Sequence, residues 1–203
     1  MWFVLIVSYF IFGYMPLNWI SQYRVRFFDV SLPFEQHIPF IPVFIFGYLL
    51  VYLSLVYTHY VINDIGSYRR AMVSFVLTIT ACYLFFIFFP VRATRPDLSN
   101  ATGFCVEVTK FYYFIDKPYN LFPSLHVAYP MLGTLLTWRH HHIARIILAL
   151  ATVVTAVSVV LVKQHYIMDV IAGAVIATLS YKLATATERY WSGWFRLSSG
   201  ERA

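Results

Sequence analysis

Residues 71–91 read AMVSFVLTITACYLFFIFFPV and contain no charged side chain. About 20 consecutive apolar residues are needed to cross the hydrocarbon core of a bilayer as an α-helix. This stretch is therefore predicted to be a membrane-spanning helix. Five further segments have similar length and character, and the predicted spans are residues 2–20, 41–60, 122–138, 143–162 and 166–187.

The composition supports a membrane protein. Of the 203 residues, 60% are hydrophobic and 12% are charged, whereas a soluble globular domain carries about 25% charged residues. We therefore expect the fold class to be all-α, an integral membrane bundle of six transmembrane helices. The length fits a single domain, residues 1–203. No internal repeat is visible, which disfavours a transporter.

The net charge of +6 has an explanation in the membrane. Loop lysines and arginines favour the cytoplasmic side and interact with anionic lipid headgroups. A nucleic-acid-binding protein would show a continuous basic stripe, and this sequence has none. The expected partner is the lipid bilayer, and no nucleic acid is expected.

Six spans would place alternate loops on the same side of the membrane. One side would hold residues 21–40, 92–121 and 163–165. The other side would hold both termini and the loops at residues 59–70 and 139–142. Lysine and arginine together number seven on the first side and eight on the second, so the raw charge count does not decide the orientation.

Residues 163–170, KQHYIMDV, contain a histidine and a carboxylate four residues apart. Residues at this spacing lie on one face of a helix, so Asp169 can hold one ring nitrogen of His165 and leave the other free. Such a histidine is suited to attack phosphorus, because the carboxylate fixes the tautomer and stabilises the developing positive charge. The alternative is an intramembrane polar pair that only ties two helices together.

Residues 122–126, FPSLH, place a second histidine at the start of the fourth predicted span. His126 could protonate a leaving alkoxide and then activate water. Ser124 favours the cap of a helix, and free N–H groups at a helix start bind phosphate. The alternative is an ordinary cap beside an interfacial histidine.

Three cations lie near these motifs in the sequence: Arg92, Arg95 and Lys163. They could neutralise phosphoryl oxygens, and interfacial snorkelling is the alternative. If all three bind phosphate, seven less three leaves four lysines and arginines on that side, against eight on the other. The positive-inside bias then places the motifs on the outer, periplasmic face. The short chain and loops suggest a bacterial inner membrane.

No cofactor and no metal is expected. The sequence has no Gly-rich phosphate loop, no Cys/His spacing typical of zinc and no carboxylate cluster suited to magnesium. The run His140, His141 and His142 resembles a metal-binding tract, but the neighbouring Arg139 and Arg145 favour a solvated basic turn.

Together these residues resemble the type-2 phosphatidic acid phosphatase superfamily of membrane lipid phosphatases and phosphotransferases. That family carries the motifs Lys-x6-Arg-Pro, Pro-Ser-Gly-His and Ser-Arg-x5-His-x3-Asp. Arg95 and the following proline match the end of the first, and residues 123–126 match the second with leucine in place of glycine. His165 and Asp169 match the end of the third, so residues 92–173 form the motif-bearing core. The variants FPSLH and HYxxDVxxG are similar to the inositol phosphorylceramide synthase branch.

Two positions depart from the family pattern. Phe88 stands where the first motif has lysine, and Val159 stands where the third has arginine, although Ser158 matches the family serine. Two phosphate ligands are therefore missing from their usual places. Arg92 and Lys163 are nearby cations that could replace them.

The resemblance implies a metal-independent lipid phosphatase in which His165 forms a phosphohistidine, Asp169 orients His165, and His126 acts as acid and base. The phosphate of a phosphorylated membrane lipid would be held by Arg95, Arg92, Lys163 and Ser124. The alternative is a phosphotransferase in which an acceptor hydroxyl replaces water, and its mark would be a headgroup pocket built from loops 21–40 and 92–121. A non-catalytic membrane protein with the same fold is a third hypothesis. The lipid's identity and the oligomeric state stay open.

Overall fold

The structure, a computed structural model, describes residues 2–138 and 141–191, and the regular elements within them are helical. The α-helices are α1 Trp2–Ser21, α2 Ile45–Val61, α3 Ile65–Phe88, α4 Phe104–Ile115, α5 Leu125–Thr137, α6 His142–Leu161 and α7 Ile167–Ala186. Two 3-10 turns, Glu35–His37 and Pro42–Phe44, lie between α1 and α2. The predicted all-α class is confirmed.

Five helical segments within the described residues are long and apolar enough to cross a membrane. They are Val4–Ser21, Pro42–Val61, Ile65–Phe88, His142–Leu161 and Ile167–Ala186. The expected count of six is not confirmed, because α5, in the fourth predicted span, has only 13 residues. At 1.5 Å per residue α5 is about 20 Å long, whereas the hydrocarbon core is about 30 Å thick.

Helix α5 is nevertheless the centre of the bundle. It packs against α2, α3, α6 and α7, and ten of its 13 residues are buried. Since neighbouring helices surround it, its length is not set by the thickness of the bilayer. Its first residue follows the FPS segment, and its last turn leads into α6, so α5 connects the two ends of the bundle.

The outer surfaces of α6 and α7 are apolar. Large aliphatic side chains that a soluble protein would bury are exposed along both helices at spacings of three and four residues, which is the period of one helix face. On α6 they include Ile143, Ile146, Leu150, Val153 and Val157, and on α7 they include Met168, Ile171, Val175, Leu179 and Leu183. These faces are suited to contact with lipid, as expected of an integral membrane protein.

Helix α3 begins at Ile65, before the start of the span predicted at residues 71–91. Asp64 caps the helix, and its carboxylate accepts the N–H of Ser67 at 2.7 Å. The loop expected at residues 59–70 is reduced to residues 62–64 between α2 and α3. Hydropathy alone had assigned the charged residues after Asp64 to the loop. In the structure they belong to the first turns of α3.

Helix α4 was not expected from the sequence, which suggested an irregular loop over residues 92–121. It begins after Gly103, whose φ of +124° suits glycine. The helix buries Val106 and Thr109 and exposes Phe104 and Phe114. With 12 residues and one buried face, α4 is too short to cross a membrane.

The three connections assigned to one side of the membrane do meet at one end of the bundle. Phe28, between α1 and α2, donates its N–H to Pro90 O at 2.9 Å in the segment after α3. Ile41 donates to Leu161 O at 3.0 Å, at the end of α6. Residues from 28–41, 90–96 and 161–166 are therefore neighbours.

Candidate active site

A polar cavity of about 670 Å³ lies where these connections meet. Residues from the 31–36 segment form one wall, and residues 93–96 form another. Lys163, His165 and Tyr166 contribute from the connection between α6 and α7. Arg95, Lys163 and His165, three of the residues singled out in the sequence, thus line one cavity.

The two predicted catalytic histidines contact each other. His126 Nδ1 lies 3.2 Å from His165 Nε2, and His165 Nδ1 lies 3.3 Å from Asp169 Oδ2. An ionised carboxylate only accepts, so we assign the His165 proton to Nδ1. His165 Nε2 then carries a lone pair and accepts from His126. The three residues form a chain of contacts that ends at a buried carboxylate.

Asp169 is fully buried and is fixed by the first turn of α7. Its Oδ2 also accepts the N–H of Tyr166 at 2.8 Å, so one oxygen holds both the helix start and the His165 ring. One turn later, a Cβ at Gly173 would overlap the carbonyl oxygen of Ser124. The glycine therefore allows α7 to approach the start of α5, which brings the two histidines together.

Arg95 is held rigidly at the cavity wall. Its guanidinium donates to the backbone oxygens of Tyr113 at 3.1 Å and Asp116 at 2.7 Å, and also to the side chain of Gln164. The guanidinium stacks 4.1 Å from the Tyr113 ring centroid. Arg95 Nε and Gln164 Nε2 are buried donors with no partner among the described residues. Such donors are costly when unpaired, and of the two residues Arg95 lines the cavity that an anion would enter.

Lys163 also lines the cavity, but its ammonium is bound to the facing wall. Nζ donates to Glu35 O at 3.2 Å. Burial lowers the pKa of Lys163, and the nearby Glu35 opposes that shift. Glu35 Oε1 accepts the N–H of Ile167 at 2.6 Å. The 31–36 segment is thereby tied to both sides of His165 along the chain.

The other two predicted phosphate ligands do not line the cavity. Arg92 is exposed, and its guanidinium lies 5.3 Å from the ring centroid of Phe27. Ser124 is fully buried, and its hydroxyl has no partner among the described residues. It is the N-cap residue of α5, as predicted, although its side chain makes no capping hydrogen bond. Its backbone N–H instead donates to Asp169 O at 3.0 Å.

The two positions that depart from the family motifs do not line the cavity. Phe88 ends α3 and is 75% exposed, whereas Val159 is fully buried in an apolar cluster. Val159 is nevertheless next to the site in the chain fold, because its carbonyl oxygen accepts the N–H of His165 at 3.1 Å. Lys163 lines the cavity together with Arg95 and His165, and Gln164 contacts Arg95.

A second cavity, apolar and about 240 Å³, adjoins His126. We call it the groove; it is lined mainly by α1, α2, α5 and the end of α4. Ile11 and Tyr52 at its edge are exposed, so it opens on the apolar outer surface. His126 lines the groove, whereas His165 lines the polar cavity. The contact between the histidines therefore joins an apolar groove to a cavity whose lining includes the charged side chains of Glu35, Arg95 and Lys163.

Potential metal ligands are dispersed in the part of the chain that the structure describes. Within residues 2–138 and 141–191, no three His, Cys, Asp or Glu side chains are grouped as a metal site would require. Of the histidine run, His141 and His142 are described, whereas Arg139 and His140 lie outside the described residues.

The sequence matches the family model of the PAP2 superfamily over residues 30–183. This range covers most of the chain and contains every motif residue, so the protein belongs to the PAP2 superfamily. Membership supports an enzyme of the phosphatase or phosphotransferase type. The likeness to the inositol phosphorylceramide synthase branch is not confirmed. No curated protein and no solved structure gives a significant match.

Some residues that support the site lie outside the motifs, and the sequence did not identify them. Glu35 and Asp116 are single carboxylates in connections, so no spacing marks them. The usable signal was their charge in a membrane chain, since ionisable groups there are usually functional. Gln164 precedes the motif histidine and contacts Arg95, which only the fold could show.

Proposed function

We propose that the protein is a metal-independent lipid phosphate phosphatase that acts through a phosphohistidine. The observation that carries the proposal is the His126–His165–Asp169 chain, placed between the groove and the polar cavity. A lipid phosphate has an apolar and an anionic half. Its chain would occupy the groove, and its phosphate would occupy the polar cavity.

The first step would transfer the phosphoryl group to His165. The lone pair on Nε2 attacks phosphorus, the bond from phosphorus to the lipid oxygen breaks, and protonated His126 gives that oxygen a proton. Asp169 orients His165 and balances the positive charge on its ring. In the free protein His126 occupies Nε2 at 3.2 Å, so the phosphoryl group must separate the two rings as it binds.

The second step would regenerate the enzyme. His126, now neutral, takes a proton from water, and the oxygen of that water attacks phosphorus. The bond between phosphorus and His165 Nε2 breaks, phosphate leaves, and His165 recovers its lone pair. Such acid–base assistance is worth about 10²–10⁴-fold in rate.

Arg95 and Lys163 would stabilise the phosphoryl oxygens. Charge on these oxygens is the main feature that a protein can stabilise in phosphoryl transfer. Arg95 is already fixed by Tyr113, Asp116 and Gln164. Lys163 would exchange its contact with Glu35 O for one with the substrate.

A phosphotransferase is the second candidate, and the size of the polar cavity favours it. The cavity holds about 670 Å³, whereas a water molecule occupies about 30 Å³ in the liquid. A phosphate alone would leave most of it empty. Residues from loops 21–40 and 92–121 form its walls, as a headgroup pocket would require. An acceptor hydroxyl would then replace water in the second step.

The proposal is tested by phosphate release from a panel of lipid phosphates by the purified protein in detergent, with excess chelator. His165→Ala is the matched control. Release that persists with chelator and is lost in His165→Ala is expected. Phosphate found on an added acceptor lipid, rather than in water, would favour the transferase. No release and no transfer from any lipid would refute both.

A further inference from the structure

A carboxylate lies in the part of the groove around His126. Asp116, the residue after α4, lines the groove together with Tyr14 and His126. Tyr14 Oη donates to Asp116 Oδ1 at 2.6 Å, and Tyr48 Oη donates to Oδ2 at 3.2 Å. The Tyr48 and His126 ring centroids are 4.5 Å apart. The carboxylate is therefore fixed near the place where the leaving group would lie.

Because of the directions of these hydrogen bonds, Asp116 and Tyr14 present hydrogen-bond acceptors to the groove. An ionised carboxylate has no proton to give, so both tyrosine hydroxyls direct their protons at Asp116. Burial raises the pKa of Asp116, and the hydrogen bond from Tyr14 and the charge of Arg95, whose Nη2 lies 2.7 Å from Asp116 O, oppose that rise. Asp116 and Tyr14 consequently offer only lone pairs to the groove.

Two further tyrosines, Tyr52 and Tyr129, line the groove. Tyr52 lies at the exposed edge of the groove. Tyr129, one turn after His126, is buried, and its hydroxyl has no partner among the described residues. Its ring packs near those of Phe10 and Phe75, each with a centroid distance of 5.7 Å. A ligand group in contact with the Asp116 carboxylate therefore meets hydrogen-bond acceptors, whereas His126 and the Tyr129 hydroxyl are the donors of the groove lining.

We propose that Asp116 and Tyr14 bind a hydrogen-bond donor, an amide N–H or a hydroxyl, on the lipid backbone beside the phosphoester. The inference rests on the proposed function, because it places the phosphate at His165. An N-acyl amino alcohol phosphate supplies the amide, and a monoacylglycerol phosphate supplies the hydroxyl. A diacylglycerol phosphate presents only ester oxygens, which would leave the carboxylate desolvated and without a new partner.

Binding without turnover tests this selection. The three lipid phosphates, with matched chains, are titrated in detergent into protein carrying His165→Ala and into the same protein with Asp116→Asn added. Both donor lipids should bind about tenfold more tightly than the diacyl lipid, the ratio that 1.4 kcal/mol produces. Asp116→Asn should bring the ratio close to one. Asp97→Asn changes an exposed carboxylate in the connection before α4 and should leave the ratio unchanged.

Tyr14→Phe is the second variant, because it keeps the carboxylate and removes one acceptor, so the ratio should fall in part. The donor lipid that binds more tightly identifies the amide or the hydroxyl as the recognised group. Equal binding of all three lipids, no binding, or a ratio that Asp116→Asn leaves unchanged would overturn the inference. Selective binding by a wild-type protein that neither releases nor transfers phosphate would overturn the proposed function alone.

Discussion

Arg95 and Arg92 lie three residues apart, but only Arg95 lines the polar cavity. Lysine cannot reproduce the planar, forked guanidinium that contacts Tyr113, Asp116 and Gln164. We expect Arg95→Lys to lower kcat/KM at least about tenfold, a cost near 1.4 kcal/mol. Arg92→Lys, the matched control on the exposed side, should leave kcat/KM within about twofold. Equal losses in the two variants would contradict this placement of the phosphate.

Asp116 should make stability depend on pH. Burial raises the pKa of Asp116 above the ordinary 3.8, while the hydrogen bond from Tyr14 and the charge of Arg95 oppose the rise. A carboxyl whose pKa is raised on folding contributes stability that is present below its unfolded pKa and is lost as pH rises through the folded pKa. The melting temperature of the wild type, relative to Asp116→Asn, should therefore fall as pH rises from about 4. Thermal scans of both proteins in one detergent test this, and a constant difference would refute it.

At the scale of the residue, spacing predicted contacts within one turn and little beyond. The four-residue interval between His165 and Asp169 correctly indicated their contact. Sequence proximity suggested Arg92 as a phosphate ligand, and the helix start and the second family motif suggested Ser124. The fold turns Arg92 outward and buries Ser124. Asp116 reaches the site only through helix α4, which the sequence did not indicate.

Helix α7 can approach α5 because residue 173 has no side chain. We expect Gly173→Ala to displace α7, since a Cβ there would meet the backbone of Ser124, and backbone cannot move aside as a side chain can. Asp169 and His165 would move with the helix. Gly173→Ala should lower kcat about tenfold or more and lower the melting temperature.

Gly66→Ala is the control for this prediction. A Cβ at residue 66 meets only Asp64 Oδ1, at an ordinary 3.4 Å. Activity and melting temperature should therefore be close to those of the wild type. If Gly173→Ala retained full activity, close approach of α5 and α7 would not be needed to align the histidines.

Among the elements, hydropathy was a good guide to the long outer helices and a poor one elsewhere. It located α1, α2, α3, α6 and α7, because a run of about 20 apolar residues is long enough to cross a bilayer as a helix. It could not separate α5 from a full span, because a helix buried among other helices is as apolar as one in lipid. It missed α4, whose polar and aromatic residues alternate around a short helix.

For the whole molecule, we propose that the polar cavity faces the outside of a bacterial inner membrane. Val25, 95% exposed, lies at the cavity end, and exposed Asn63 lies between α2 and α3. In a chain with Cys82 and Cys105 replaced by alanine, Val25→Cys should react with an impermeant maleimide in intact cells. Asn63→Cys should react only after permeabilisation. The reverse pattern would place the site in the cytoplasm.

The arrangement of the whole bundle brings an apolar groove and a polar cavity to opposite members of one histidine pair. Neither compartment was visible in the sequence, because each is built from segments far apart in the chain. The motifs predicted the chemistry of the pair, and the packing of α5 against α7 supplies its position. The central claim is that phosphoryl transfer passes through His165 in two steps.

The stereochemical course at phosphorus tests this claim most directly. Each in-line displacement inverts the configuration of the phosphoryl group, so attack by His165 followed by attack by water or an acceptor should give net retention. The measurement uses a lipid substrate made chiral at phosphorus with oxygen isotopes and sulfur, and His165→Ala should be inert. Retention supports the covalent route through His165. Inversion would show direct, single-step attack and would contradict it.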